Sequence, residues 1–190
     1  MSEVITALQK ATRAGALSET AVHFAGLLER QDPTADPSVL LAGALAAERA
    51  LAGDVCTELA SIADGIAWEG DSDGDLVPPD LSTWQQALRS CSLVGDGGHL
   101  SPLVLTDDGK LYLYRYYALE CRLAEAIGRH ARQVSHAVDA LSLAEGLDTF
   151  FSDDPGSADQ RAAAAKAVDH HLLVISCWPG TGISATVVRV

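Results

Sequence analysis

Apolar residues recur at helical spacing over the first sixty positions. Val4, Ile5 and Leu8 predict a helix over residues 2–13, which Gly15 can close. Ser18 offers a cap for a second helix, with Val22, Leu27 and Leu28 on its apolar side and Phe24 nearby. Asp36-Pro37 is a strong start signal, because the carboxylate accepts from orphan N–H groups and proline at the first position loses no needed donor. The alanine-rich run that follows predicts a helix over 39–52, ending at Gly53, and residues 55–63 read as a short further helix.

The pattern then breaks. Residues 64–80 interleave glycines and prolines with Asp71, Asp73 and Asp75, which predicts a solvated loop. Its Asp71-Ser72-Asp73-Gly74-Asp75 core looks superficially like a calcium loop. The sixth position, however, is Leu76 rather than glycine, and the twelfth is Ser82 rather than glutamate, so a calcium site is not expected. A short helix around Trp84 and Leu88 leads to Leu93-Val94-Gly95 and then to the clearest β signal. Leu103-Val104-Leu105 and Leu111-Tyr112-Leu113-Tyr114 flank a glycine-bearing turn, predicting a hairpin over about 102–114. Alternation would place Leu111 and Leu113 on one face and Tyr112 and Tyr114 on the other.

Residues 116–132 form a further helical pattern with Leu119, Leu123 and Ile127 on one stripe, and Arg122, Arg129 and Arg132 read as its wet face. Another helix is expected over 137–151. Ser152-Asp153-Asp154-Pro155-Gly156 marks the expected domain boundary, after which Ser157 and Gln160 make an S-x-x-Q capping box for a helix reaching about Val168. The apolar run Leu172-Leu173-Val174-Ile175 predicts a strand. Helix, apolar strand and glycine loop in that order mark the opening of a parallel α/β sheet. The expected fold is therefore mainly α. A helical domain with a small β-hairpin occupies residues 1–152, and an incomplete start of a P-loop α/β motor domain occupies 157–190.

Composition narrows the chemistry. At 190 residues and 48% hydrophobic content, the chain can bury roughly 70% of its unfolded surface. A formal charge of -13, with three lysines, argues against this segment gripping DNA, whose affinity for proteins comes largely from Lys and Arg neutralising phosphates. No apolar run approaches the length of a membrane span, and the N-terminus has neither a basic segment nor a signal-peptide core, so a cytoplasmic location without membrane contact is expected. Cys56, Cys91, Cys121 and Cys177 are far apart and lack CxxC pairing, which suits reduced core thiols better than disulfides or zinc. His170-His171 beside Cys177 reads as a helix end and a loop rather than a ligand set. The tyrosines beside Arg115 read as a structural or protein-contact face rather than a base-stacking platform.

The most telling segment is Cys177-Trp178-Pro179-Gly180-Thr181-Gly182-Ile183-Ser184. A phosphate loop reads G-x-x-x-x-G-K-[ST], because backbone N–H groups must wrap the phosphates, a lysine must neutralise them and a hydroxyl must hold Mg2+. Gly182 and Ser184 fit this pattern. Cys177 stands at the first glycine and Ile183 at the lysine. Losing the lysine contact forfeits about 1.5 to 3 kcal/mol, and a non-glycine residue in a left-handed conformation adds roughly 1 to 2 kcal/mol. Together these amount to about three orders of magnitude in affinity, enough to move a micromolar ATP site to millimolar.

From Gln160 onward the chain resembles the opening of the motor core of superfamily 1 helicases. Upstream, Gly53-Asp54-Val55-Cys56-Thr57-Glu58-Leu59, then Trp84 with Ser90-Cys91-Ser92-Leu93-Val94-Gly95, Pro102-Leu103-Val104-Leu105, and Leu111-Tyr112-Leu113-Tyr114-Arg115-Tyr116-Tyr117 with Glu120 look like the N-terminal region of the exodeoxyribonuclease V alpha subunits, the RecD-type helicases. The resemblance covers most of the chain in consistent order. It implies a 5'-to-3' ATP-dependent DNA helicase subunit that joins beta and gamma subunits to process double-strand ends for recombinational repair, with its N-terminal helical region docked on those subunits and DNA engaged by the full complex.

The same resemblance gives Gln160 the role of reading adenine, Pro179, Gly180, Thr181 and Gly182 the phosphate loop, Ile183 the lysine's place and Ser184 the magnesium hydroxyl. ATP and Mg2+ are the family's cofactors. Because of Ile183, and because the later motor motifs are not in the sequence, this chain alone is expected neither to hydrolyse ATP nor to unwind DNA, and to retain subunit docking. The alternatives are a stand-alone helical adaptor and a residual nucleotide sensor.

Overall fold

The computed structural model describes residues 2–63, 76–131, 138–151 and 157–176. The described residues form eight helices and four short strands: α1 (Glu3–Arg13), α2 (Glu19–Gln31), α3 (Pro37–Leu51), β1 (Thr57–Glu58), α4 (Leu59–Ala63), α5 (Leu81–Ser90), β2 (Val94–Gly95), β3 (Leu103–Leu105), β4 (Lys110–Leu113), α6 (Tyr114–Ala131), α7 (Ala140–Phe150) and α8 (Ala158–Asp169). The protein is mainly helical with a small sheet. It divides into two compact units, residues 1–121 and 122–190.

The first unit is organised around α3, whose residues from Val39 to Ala47 are all buried. A helix apolar on all sides must be covered on all sides. Helices α1, α2 and α5 and the sheet share that task. Gly43 lets α2 approach: a Cβ there would lie 2.3 Å from Leu28 Cδ1, and Leu28 is itself fully buried. On the same residue, Leu103 Cδ1 of β3 sits 3.7 Å from that Cβ position, so one glycine seats both a helix and the sheet.

The starts of these helices follow their caps. Ser18 Oγ accepts from the Ala21 N–H, and Asp36 from Ser38 N at 2.8 Å with Pro37 at the first helical position. Asp80 accepts from Thr83 N and from the Ser82 hydroxyl, which holds its carboxyl down at about 2. Trp84 is fully buried on α5, and its indole N–H donates to the Ser38 carbonyl at 2.9 Å, pinning α5 to the first turn of α3. Two glutamates tie chain entries to distant helices: Glu29 accepts from Ser2 N at 2.7 Å and Glu48 from Ser18 N at 2.8 Å.

The sheet order is β1-β4-β3-β2, antiparallel except for the β2–β3 pair. The hairpin forms as expected, in the register Leu103 to Leu113, Val104 to Tyr112 and Leu105 to Leu111. Its turn rests on Gly109 at φ +83, with Thr106 N donating to the Lys110 carbonyl at 3.0 Å. Leu103, Leu105, Leu111 and Leu113 face the helical core, and Tyr112 lies on the opposite face with Val104.

Several local expectations require correction. Residues 55–63 are not one helix: Thr57 and Glu58 pair with β4 before α4 begins, because the edge of β4 offers ladder partners. Val94-Gly95 is a strand, held parallel to β3. Leu27 is 40% exposed, since α2 turns its narrow buried face with Val22, Ala25 and Leu28 toward α3. Ser157 makes no side-chain cap bond, because it adopts right-handed helical angles rather than the extended ones a cap needs. Cys56, Cys91 and Cys121 are free and half-buried, and of the three Cys91 packs against the core.

In the second unit α7 and α8 pack together, joined by an ion pair between Arg161 and Asp148. Residues 172–176 carry no ladder among the described residues, and Val174 is 82% exposed. A strand has regular structure only through its partners. The expected boundary at 152–156 and the acidic core at 71–75 lie outside the described residues. No described helix is long and apolar enough to cross a membrane.

Gly43→Ala sets helix propensity, which favours alanine by about 1 kcal/mol, against overpacking of a full site, which costs typically about 1–3 kcal/mol. Because Leu28 cannot swing into solvent, a net loss is expected in urea denaturation. Gly26→Ala, where the new Cβ makes only an ordinary 3.6 Å contact, should be neutral or stabilising. The folded-state pKa of Asp80 is depressed, so its contribution is present above the unfolded value near 4 and lost as pH falls toward about 2. Asp80→Asn should therefore flatten that part of a Tm-against-pH curve, and an unchanged acid limb would refute the assignment.

Candidate functional site

Tyr114 ends the hairpin and begins α6 without an intervening loop. The join is fixed by aromatic packing: the rings of Tyr112 and Tyr117 meet edge to face, 5.5 Å between centroids. Tyr117 also lies over the turn at Gly97, where φ is +95 and a Cβ would come within 2.2 Å of the Tyr117 ring. That turn is braced by Asp96, which accepts from Gly98 N at 2.8 Å. Burial, followed by the charge of Cys56 and a hydrogen bond with Glu120, pushes the Tyr112 phenol well above its ordinary value. A hydrogen bond with Cys121 is the largest of the effects that raise Tyr117. Both phenols are thus neutral structural groups at physiological pH.

Beyond this anchor α6 carries no buried residue over its eighteen positions. Leu119, Leu123 and Ile127 are 46%, 60% and 47% exposed. The expected stripe is present, but it faces outward. Arg122 and Arg129 are exposed as expected, while Arg132 lies outside the described residues.

A second feature of the first unit is an open groove of about 920 Å³ between α1, the start of α3, residues 76–79 and α5. Val4, Ala7, Leu41 and Leu76 are among its apolar lining, and its charged groups are Glu3, Asp36 and Lys10. A mostly apolar lining with two carboxylates to one ammonium fits a protein segment or an apolar ligand better than a phosphate.

Of the residues expected to bind nucleotide, Gln160 sits half-buried in the first turn of α8. Pro179, Gly180, Thr181, Gly182, Ile183 and Ser184 lie outside the described residues. His170 Nδ1 lies 2.8 Å from the Lys166 carbonyl at the end of α8, a helix-terminal contact. Among the described residues no group of three or more His, Cys, Asp or Glu side chains could hold a metal ion. The exposed α6 stripe and the groove were not singled out from sequence as sites. The i, i+4, i+8 leucine and isoleucine pattern signals an apolar face, but only the structure shows that nothing described covers it.

Residues 13–112 match the family described as RecBCD enzyme subunit RecD, N-terminal domain. The chain belongs to this family. That match spans α2, α3, α5 and nearly all of the sheet, and so most of the α3-centred core, with α1 before it. The chain is also 33% identical over 183 residues to RecBCD enzyme subunit RecD of Mycobacterium tuberculosis, covering 93% of this chain and 28% of that protein. It is 32% identical over 169 residues to the RecBCD enzyme subunit RecD of Mycolicibacterium smegmatis, covering 88% and 27%. The chain therefore spans little more than a quarter of the length of these RecD relatives.

Within this RecD N-terminal domain, the Tyr117–Gly97 contact sets the path of α6. Gly97→Ala should displace Tyr117 and speed amide hydrogen exchange over residues 114–121, leaving α3 protected. Unchanged exchange there would mean that the contact is dispensable.

Proposed function

We propose that this chain is the N-terminal, partner-docking part of an exodeoxyribonuclease V alpha subunit, serving DNA double-strand break repair and recombination in the cytoplasm. The observation that carries this reading is the family match across residues 13–112, most of the α3-centred unit, in a chain that covers about 28% of its tuberculosis relative. A fold that completes its own core yet leaves an apolar helix face and a groove exposed suits attachment to other subunits. The beta and gamma subunits of the complex are its partners. DNA meets the assembly elsewhere, since a chain of charge -13 repels the phosphate backbone.

ATP-driven 5'-to-3' unwinding is a property of the whole alpha subunit. In this chain Gln160 would face adenine, residues 179–182 would wrap the phosphates and Ser184 would hold Mg2+. Ile183 removes the cation that the triphosphate requires, so nucleotide binding is weakened to the millimolar range.

Size-exclusion chromatography with light scattering on the chain mixed with purified beta and gamma subunits tests the reading. A stable complex, with no ATP hydrolysis by the chain alone, is expected. Failure to join either subunit would overturn docking. Calorimetric titration with Mg-ATP should be flat at micromolar concentration, whereas micromolar binding lost on Gly182→Val would favour a nucleotide sensor.

A further inference from the structure

We draw no further inference here: the strongest candidate, the open groove between α1, the start of α3, residues 76–79 and α5, carries none, because nothing in the structure shows what covers it and an apolar lining with Glu3, Asp36 and Lys10 selects no one occupant.

Discussion

The burial of α3 on every side is the constraint from which the first unit follows. A helix whose residues from Val39 to Ala47 are all inaccessible has no stable position unless α1, α2, α5 and the sheet all close on it. Close approach requires a small residue at the crossing, which Gly43 supplies against Leu28 and Leu103. The polar groups that remain inside must be paired. Trp84 meets that demand by donating to Ser38, which ties α5 to the start of α3. The burial of this helix thus spends its apolar surface inward and leaves little of it for function. Function must be sought in what lies outside: the groove beside α1 and the face of α6.

That division explains how much could be read from sequence. The caps at Ser18 and Asp36-Pro37 and the glycine turn of the hairpin act through neighbours in the chain, so their residues identify them directly. The strands at Thr57-Glu58 and Val94-Gly95 are two residues each and have no alternation to display. They exist because β4 and β3 present free ladder groups, a tertiary cause without a local signature. Leu27 failed for a related reason: periodicity names an apolar face but not how wide a strip a neighbour covers.

The candidate surfaces were legible in a different way. Leu119, Leu123 and Ile127 announce an amphipathic helix, and the arginines on α6 read as a solvated face. Only their exposure distinguishes this stripe from an ordinary core stripe. The tyrosines belong to the structure instead, since Tyr112 is buried beneath Tyr117, and Tyr117 in turn needs the bare turn at Gly97. The phosphate-loop residues, in contrast, are legible as a motif alone, and their departure at Ile183 is a statement of charge chemistry that needs no geometry.

The central claim is that this RecD-family chain responds to partner subunits and not to nucleotide. Hydrogen-exchange mass spectrometry on the chain alone, with millimolar Mg-ATP, and with the beta and gamma subunits tests it most directly. The account predicts new protection only when the subunits are present. Protection appearing with Mg-ATP alone, and none with the subunits, would contradict it.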